Sequence, residues 1–419
     1  MRDDRKKIGA VVATAMSVTI VVGAGLLALP GLSYAYAGRL GYLPWLLVAA
    51  SMLPLLEIFS YFGRTHPSAG GVVGYVRASL GPRAATVAET IVLGTFTLGI
   101  PAISLIGAGY LRQVAGAVSV TEGALGVVTV AFVAGIVGLR VSGAIQTAIA
   151  VSIVGGLMTV GVGFLCSAHP PPAAAVALQD AAAWHGVLRA VPVILFAFTG
   201  WELTAFLAED MRDPRRDLPT SIWASFVIVT ALYLFIAWIV ATYALPDDRW
   251  KIAPVAQLAN EWLGAAGRGW VGAIGALLVV ANVVAAFVSV SRAIFAAGRD
   301  GLLPRFVGRL DRRGAPTRAM LLTYAVFVAV IAATGLGAVR IDTLLQLAGQ
   351  NFFVLYLLAV VGYVSIHRGG ARRWIGYVAA VAVLGMMSLF SVEGLVYCGG
   401  LAALGLWLGR PVRTAACAD

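Results

Sequence analysis

A polytopic bundle of transmembrane α-helices is the fold class this sequence predicts, and three observations predict it. The 419 residues are 60% hydrophobic and only 12% charged, with a mean hydropathy of +0.91. Apolar runs of about 20 residues, the length a helix needs to cross a bilayer, recur from one end of the chain to the other. The alternating segments of roughly 10 residues that mark an outer-membrane barrel are absent. A soluble globular domain does not have this composition.

The polar residues exclude several function classes. Cys166, Cys398 and Cys417 form neither a disulfide framework nor a CxxC metal motif. His66, His169, His185 and His367 lack the spacing of zinc ligands. The net charge of +11 would suggest nucleic acid in a soluble protein, but here the basic residues read as topology signals. The start, Met1-Arg2-Asp3-Asp4-Arg5-Lys6-Lys7, resembles the basic region of a signal peptide. The apolar run behind it is too long, with no small-x-small cleavage site, so it is expected to be a retained first helix.

Twelve spans are predicted, at about 9–36, 42–62, 84–114, 122–139, 143–166, 187–209, 219–244, 267–298, 319–335, 341–366, 373–389 and 391–409. Ser391 and Glu393 are the only polar markers between the last two. With the N-terminus inside, 23 of the 30 Lys and Arg residues fall on the cytoplasmic side, a strong positive-inside bias that places both termini in the cytoplasm. No loop is long enough for a separate soluble domain, so residues 1–419 read as one membrane domain. The largest outer connections, His169 to His185 and Pro246 to Arg268, mix prolines, acids and tryptophans, and read equally as interfacial caps or solvated loops. The tail after Arg410 is expected to be disordered.

Two spans are interrupted. The first carries Val21-Val22-Gly23-Ala24-Gly25-Leu26-Leu27-Ala28-Leu29-Pro30-Gly31. Glycine inside a helix costs about 1 kcal/mol relative to alanine, and proline about 3. Such a span is expected to break in its middle, which a bilayer tolerates only where the backbone is buried in protein or lines a cavity. Close helix packing through small residues is the competing reading. Span six, Pro192-Val193-Ile194-Leu195-Phe196-Ala197-Phe198-Thr199-Gly200-Trp201-Glu202-Leu203, again sets a glycine at membrane depth, beside a carboxylate. Interrupted helices at corresponding positions of two five-helix halves are the mark of an inverted-repeat transporter. The halves would be 8–166 and 187–366, with two extra helices at 373–409.

Four motifs in order resemble the amino acid–polyamine–organocation transporter superfamily over nearly the whole chain. They are Gly23-Ala24-Gly25 with Pro30-Gly31, and His66-Pro67-Ser68-Ala69-Gly70-Gly71 with Gly74-Tyr75. Phe198-Thr199-Gly200-Trp201-Glu202 follows, with Glu209 and the loop Arg212 to Pro219. Last come Ser291-Arg292 and Ala297-Gly298-Arg299-Asp300-Gly301-Leu302-Leu303-Pro304. The resemblance implies an inverted 5+5 repeat of the leucine-transporter type, with helices 1 and 6 broken. The short length, Gly99-Ile100-Pro101-Ala102 and Gln146-Thr147 look most like bacterial exporters of methionine and branched-chain amino acids. A multi-pass protein of the bacterial inner membrane is the location this implies. Several proton-coupled relatives carry a lysine in the fifth helix; span five here has none.

A zwitterionic amino acid needs donors for its carboxylate and acceptors for its ammonium. The amides of Ala24, Gly25 and Leu26 would meet the carboxylate at a half-helix N-terminus, with Gly23 and Gly25 letting the substrate approach the backbone closely. Carbonyls freed near Ile20, Val21, Phe196 and Phe198 would accept from the ammonium. Phe198, Thr199, Gly200 and Trp201 complete the expected substrate site, the two aromatics as pocket walls or as ordinary packing. Glu202, an ionisable group at membrane depth, is the candidate coupling residue. Ser289 and Ser291 are candidate ion ligands together with span-one carbonyls, against the commoner back-bonded serine. Tyr110, Asn282 and Asn351 are polar groups in apolar spans, suited to a pore or to interhelical bonding. Glu57 and Glu89 also lie in apolar stretches.

The expected function is therefore secondary transport of neutral apolar amino acids by alternating access. Export is favoured over import or exchange, and a proton over sodium as the coupling ion. No metal, cofactor or nucleic-acid partner is expected. A membrane enzyme would need a catalytic His, Asp or Cys cluster at one face, and a receptor would have no use for the glycine breaks. A major-facilitator transporter would carry an acidic, arginine-rich loop after helix two, where Pro67-Ser68-Ala69-Gly70-Gly71 stands here.

Overall fold

The computed structural model describes residues 8–66, 71–115, 118–137, 143–167, 181–201, 211–299, 301–311 and 314–409. Among them every regular element is a helix, and an isolated β-bridge joins Ile8 to Met211. Eight helices are long and apolar enough to cross a membrane, nine if a bent pair at the start counts as one span. Two shorter apolar helices, Ala183–Phe198 and Val392–Leu408, accompany them.

The bent pair is α1 (Ala10–Val21) and α2 (Gly23–Ala37), turned 45° from one another. Then come α3 (Leu43–Thr65), α4 (Gly71–Leu80), α5 (Pro82–Ala115), α6 (Val120–Val137) and α7 (Gly143–Ser167). The short α8 (Ala181–Ile194) runs into a 3-10 turn, Leu195–Phe198. The second half holds α9 (Pro214–Tyr243), α10 (Asp248–Ile252), α11 (Pro254–Arg299), α12 (Thr317–Gly335) and α13 (Ile341–Ile366). It closes with α14 (Ala371–Met387) and α15 (Val392–Leu408).

These bounds follow the apolar runs closely, and Ser391 does separate the last two helices. Its hydroxyl caps α15 by accepting the Gly394 N–H at 3.1 Å. Three details depart from expectation. The loop after the second span contains α4, a ten-residue helix too short to cross a bilayer. The connection before span eight is helical: α10, then a first segment of α11 that ends where Gly264 takes φ +63°. That span was expected to begin at 267, but its helix starts at Pro254 and bends at the one residue able to adopt this backbone without strain. Asp247 caps α10, accepting the Arg249 N–H at 2.9 Å, and the Arg249 side chain holds the Asp247 carboxyl below its ordinary range. Third, α2 runs without a break through Pro30 and Gly31, so the first interruption is narrower than the sequence suggested.

The centre of the bundle is α5, packed against α11, α13, α6, α15 and α4. Its apolar window is 78% buried, against 28% for the peripheral α12. Large apolar side chains stand outward on α6, α14 and α15, among them Val133, Val381 (72% exposed) and Trp407. In water such a surface would aggregate; against lipid tails it is matched, and packing and hydrogen bonds hold the helices together.

Several sequence expectations fall on residues outside those described: Arg2, Arg5, Lys6 and Lys7, the loop positions 67–70, the connection 168–180, Glu202, Glu209, Asp300 and the tail 410–419.

Candidate functional site

The interruption of the first span is one residue wide. Val22 keeps helical dihedrals (φ −66°, ψ −2°) and its N–H reaches Val18 O, so α1 ends properly and α2 starts at once on a new axis. A helix end leaves its last carbonyls without intrahelical donors. Here these are Thr19, Ile20 and Val21, and all three are taken by side chains from elsewhere. Asn282 Nδ2 on α11 donates to Thr19 O at 3.1 Å and to Ile20 O at 3.0 Å. The Tyr233 hydroxyl on α9 donates to Val21 O at 2.7 Å. Gly23 makes the first contact possible, since a Cβ there would lie 3.2 Å from Asn282 Nδ2.

The second interruption follows the 3-10 turn. Thr199 is extended and Gly200 sits at φ +114°, a region closed to other residues without strain. The freed carbonyls are again occupied, this time from within. Thr199 Oγ1 donates to Phe196 O at 2.7 Å, and Trp201 Nε1 to Phe198 O at 2.7 Å.

The two interruptions touch. A Cβ on Gly200 would lie 3.3 Å from both the Ile20 and Val21 side chains, and one on Gly25 would lie 3.6 Å from Ala197 Cα. At this crossing the first amides of α2, from Gly23 to Gly25, are the donors that a helix start leaves free; the Leu26 amide, expected among them, is taken by the first intrahelical bond to the carbonyl of Val22, which caps the helix. Leu26, Phe198 and Trp201 are fully buried around it. Phe198 packs on Tyr233 (5.4 Å between ring centroids) and Trp45 (6.2 Å), and Trp201 on Phe226 (5.6 Å). Farther along, Arg212 N–H donates to Ile8 O at 2.9 Å, tying the chain that enters α1 to the chain that follows the second break.

The structure thus brings Gly23, Gly25, Leu26, Phe198, Thr199, Gly200 and Trp201 together, with the backbone of Ala24 among them. Glu202 lies outside the described residues. Neither serine of α11 bonds to α1. Ser289 is exposed and donates to Ala285 O, while buried Ser291 donates to Thr323 on α12 at 3.2 Å. Two positions apart on a helix, they face different neighbours. Sequence reading singled out Asn282 but passed over Tyr233. The available signal was a tyrosine deep in an apolar span, whose hydroxyl must find a partner when buried. Glu57 is paired with Arg64 at 3.3 Å in a partly exposed contact. Among the described residues no cluster of three or more His, Cys, Asp or Glu side chains is placed to hold a metal ion.

Comparison with known proteins gives a consistent picture. The profile of the family described as "Amino acid permease" matches residues 8–398. An uncharacterized amino acid permease of Bacillus subtilis, YecA, is 27% identical over 94% of this chain and 92% of its own length. The L-methionine/branched-chain amino acid exporter YjeH of Escherichia coli is 25% identical over 98% of this chain and 97% of its own. The branched-chain amino acid permease BcaP of Bacillus subtilis is 25% identical over 72% of this chain and 68% of its own.

Proposed function

The chain belongs to the amino acid permease family, within the amino acid–polyamine–organocation superfamily, and from that premise we propose that it exports methionine and branched-chain amino acids. Membership makes it a multi-pass membrane transporter of amino acids rather than an enzyme. The finer reading has twelve spans, an inverted 5+5 repeat, both termini in the cytoplasm and the bacterial inner membrane as its site.

The observation that carries the reading is the contact between the two interruptions. Where they cross, a helix start offers the amides of Gly23, Ala24 and Gly25 to a carboxylate, and the dipole of α2 adds to the attraction. The ammonium meets the carbonyls of Thr19, Ile20 and Val21. Each already accepts one hydrogen bond, from Asn282 or Tyr233, and a carbonyl oxygen has a second lone pair to give. No fixed charge is needed on either side. The wall of Leu26, Phe198 and Trp201 suits an apolar side chain and disfavours a cationic one. Asn282 and Tyr233 fix the direction of the acceptors while the spans rock around them.

Export is supported by the similarity to YjeH along nearly the full length of both chains. A proton is the proposed coupling ion, in antiport, and Glu202 the group that carries it. A carboxyl at membrane depth is costly to ionise unless paired or hydrated, so its protonation and the transport cycle are naturally linked. The test is efflux from proteoliposomes preloaded with labelled methionine or leucine, with and without an imposed pH gradient. Gradient-accelerated efflux, lost in Glu202→Gln, is expected. Movement only with amino acid on both sides would make the protein an exchanger, and movement of neither substrate would break the substrate assignment.

A further inference from the structure

Two adjacent amide residues of α13, Gln350 and Asn351, are wholly buried (0% exposed), away from the contacts described above. Among the described residues neither polar atom of the Gln350 side chain has a hydrogen-bond partner, and Asn351 Nδ2 has none. Asn351 Oδ1 alone is engaged, accepting from Cys398 Sγ of α15 at 2.8 Å. The neighbouring helix is shaped around these groups, because a side chain at Gly394 of α15 would run into the Gln350 amide. Another face of α13 abuts the second break. A Cβ on Gly349 would lie 3.1 Å from the backbone nitrogen of Phe196. The unpaired amides therefore sit on a helix that touches both the second break and α15.

A buried amide without a partner bears its full desolvation cost, whereas an apolar side chain of similar shape in its place is neutral or stabilising. An apolar residue at position 350 would thus make this conformation more stable. A buried polar group left unsatisfied calls for a physical reason, and a store of strain released elsewhere in a cycle is one such reason. We infer that Gln350 and Asn351 are positioning residues of a gate. They are unpaired in the conformation described here, gain hydrogen-bond partners when α13 shifts against α15, and so drive the protein out of this state. A ligand or side chain shifts an equilibrium only by its differential interaction with the two states, and these amides supply such a difference. The inference rests on the transport reading, since it concerns the carrier's alternation between states.

The test compares the parent protein with Gln350→Met, which keeps the chain length and removes the polar atoms, and with Gln350→Leu as a second filling of the same space. Both variants are expected to melt at or above the parent temperature. Both should move methionine or leucine at least about fivefold more slowly at saturating substrate, with KM little changed, as loss of a conformational bias requires. A purely structural amide would give the opposite pattern. A lower melting temperature in both variants, or an unchanged rate, would overturn the inference. If the parent carries neither amino acid, the transport reading fails separately. Hydrogen exchange across residues 341–366 then decides: slower exchange in the variants supports the gate, and unchanged exchange overturns it.

Discussion

Asn282 and Tyr233 do for the end of α1 what the next helical turn would do in an unbroken span. Leaving a buried carbonyl unpaired costs about 1–3 kcal/mol, so the two residues are worth several kcal/mol between them. Asn282→Ala orphans two carbonyls and Tyr233→Phe one, which predicts a larger fall in melting temperature and in initial transport rate for the first. Rates and melting curves equal to the parent in both variants would show that the carbonyls do not depend on these donors. The glycines of the site were legible from their clustering: Gly23 and Gly25 stand one residue apart ahead of a Pro-Gly pair, and Gly200 stands between a threonine and a tryptophan next to a carboxylate. Their partners were not, because which carbonyl a distant side chain reaches depends on how four helices pack. Ser289 and Ser291 illustrate the difficulty. Both are hydroxyls in the right span, yet one bonds its own helix and the other α12.

At the scale of elements, the first interruption proved to be a one-residue turn rather than a long unwound stretch. Composition alone could not reveal this, since Pro30 and Gly31 read as a second break. Proline removes a single donor from a membrane helix, which neighbouring groups can accommodate. Gly31 is present for another reason: a Cβ there would run into the carbonyl oxygens of Trp250 and Lys251 on the short helix α10. Gly31→Val is therefore predicted to lift α10 from α2. Faster hydrogen exchange at residues 248–252 would report it, together with reduced transport. Unchanged exchange would mean that the cap is held by other contacts. Tyr34, whose hydroxyl donates to Ala244 O at 2.9 Å, marks how closely the end of α9 is drawn to the same helix. The helical cap itself was only half legible, because Pro254 and Gly264 read as loop residues when taken one at a time. In the structure Pro254 starts a helix and Gly264 bends it.

Over the whole molecule, the hydropathy pattern gave the bundle, and the basic residues predict its sidedness. Transport physics needs both: a site near mid-membrane, reached from either face in turn. Length and composition alone pick out eight or nine spans among the described residues. The shorter helices α8, α14 and α15 fall below that length, and α14 also carries Arg372 and Arg373 in its first turn. Twelve spans with both termini inside predict that alkaline phosphatase fused after residue 409 is inactive, while a fluorescent protein fused there is bright. The reverse pattern would require an odd number of spans or an inverted orientation.

The central claim is that a zwitterion is held at the crossing of the two broken spans by backbone groups. Equilibrium binding to the purified protein tests it most directly, comparing L-methionine with methioninol, which lacks the carboxylate, and with the corresponding 2-oxo acid, which lacks the amine. The account predicts that methionine raises the melting temperature and that both analogues, at equal concentration, do not. Equal stabilisation by methioninol would mean that the amides from Gly23 to Gly25 do not hold a carboxylate, and the site would have to be sought elsewhere.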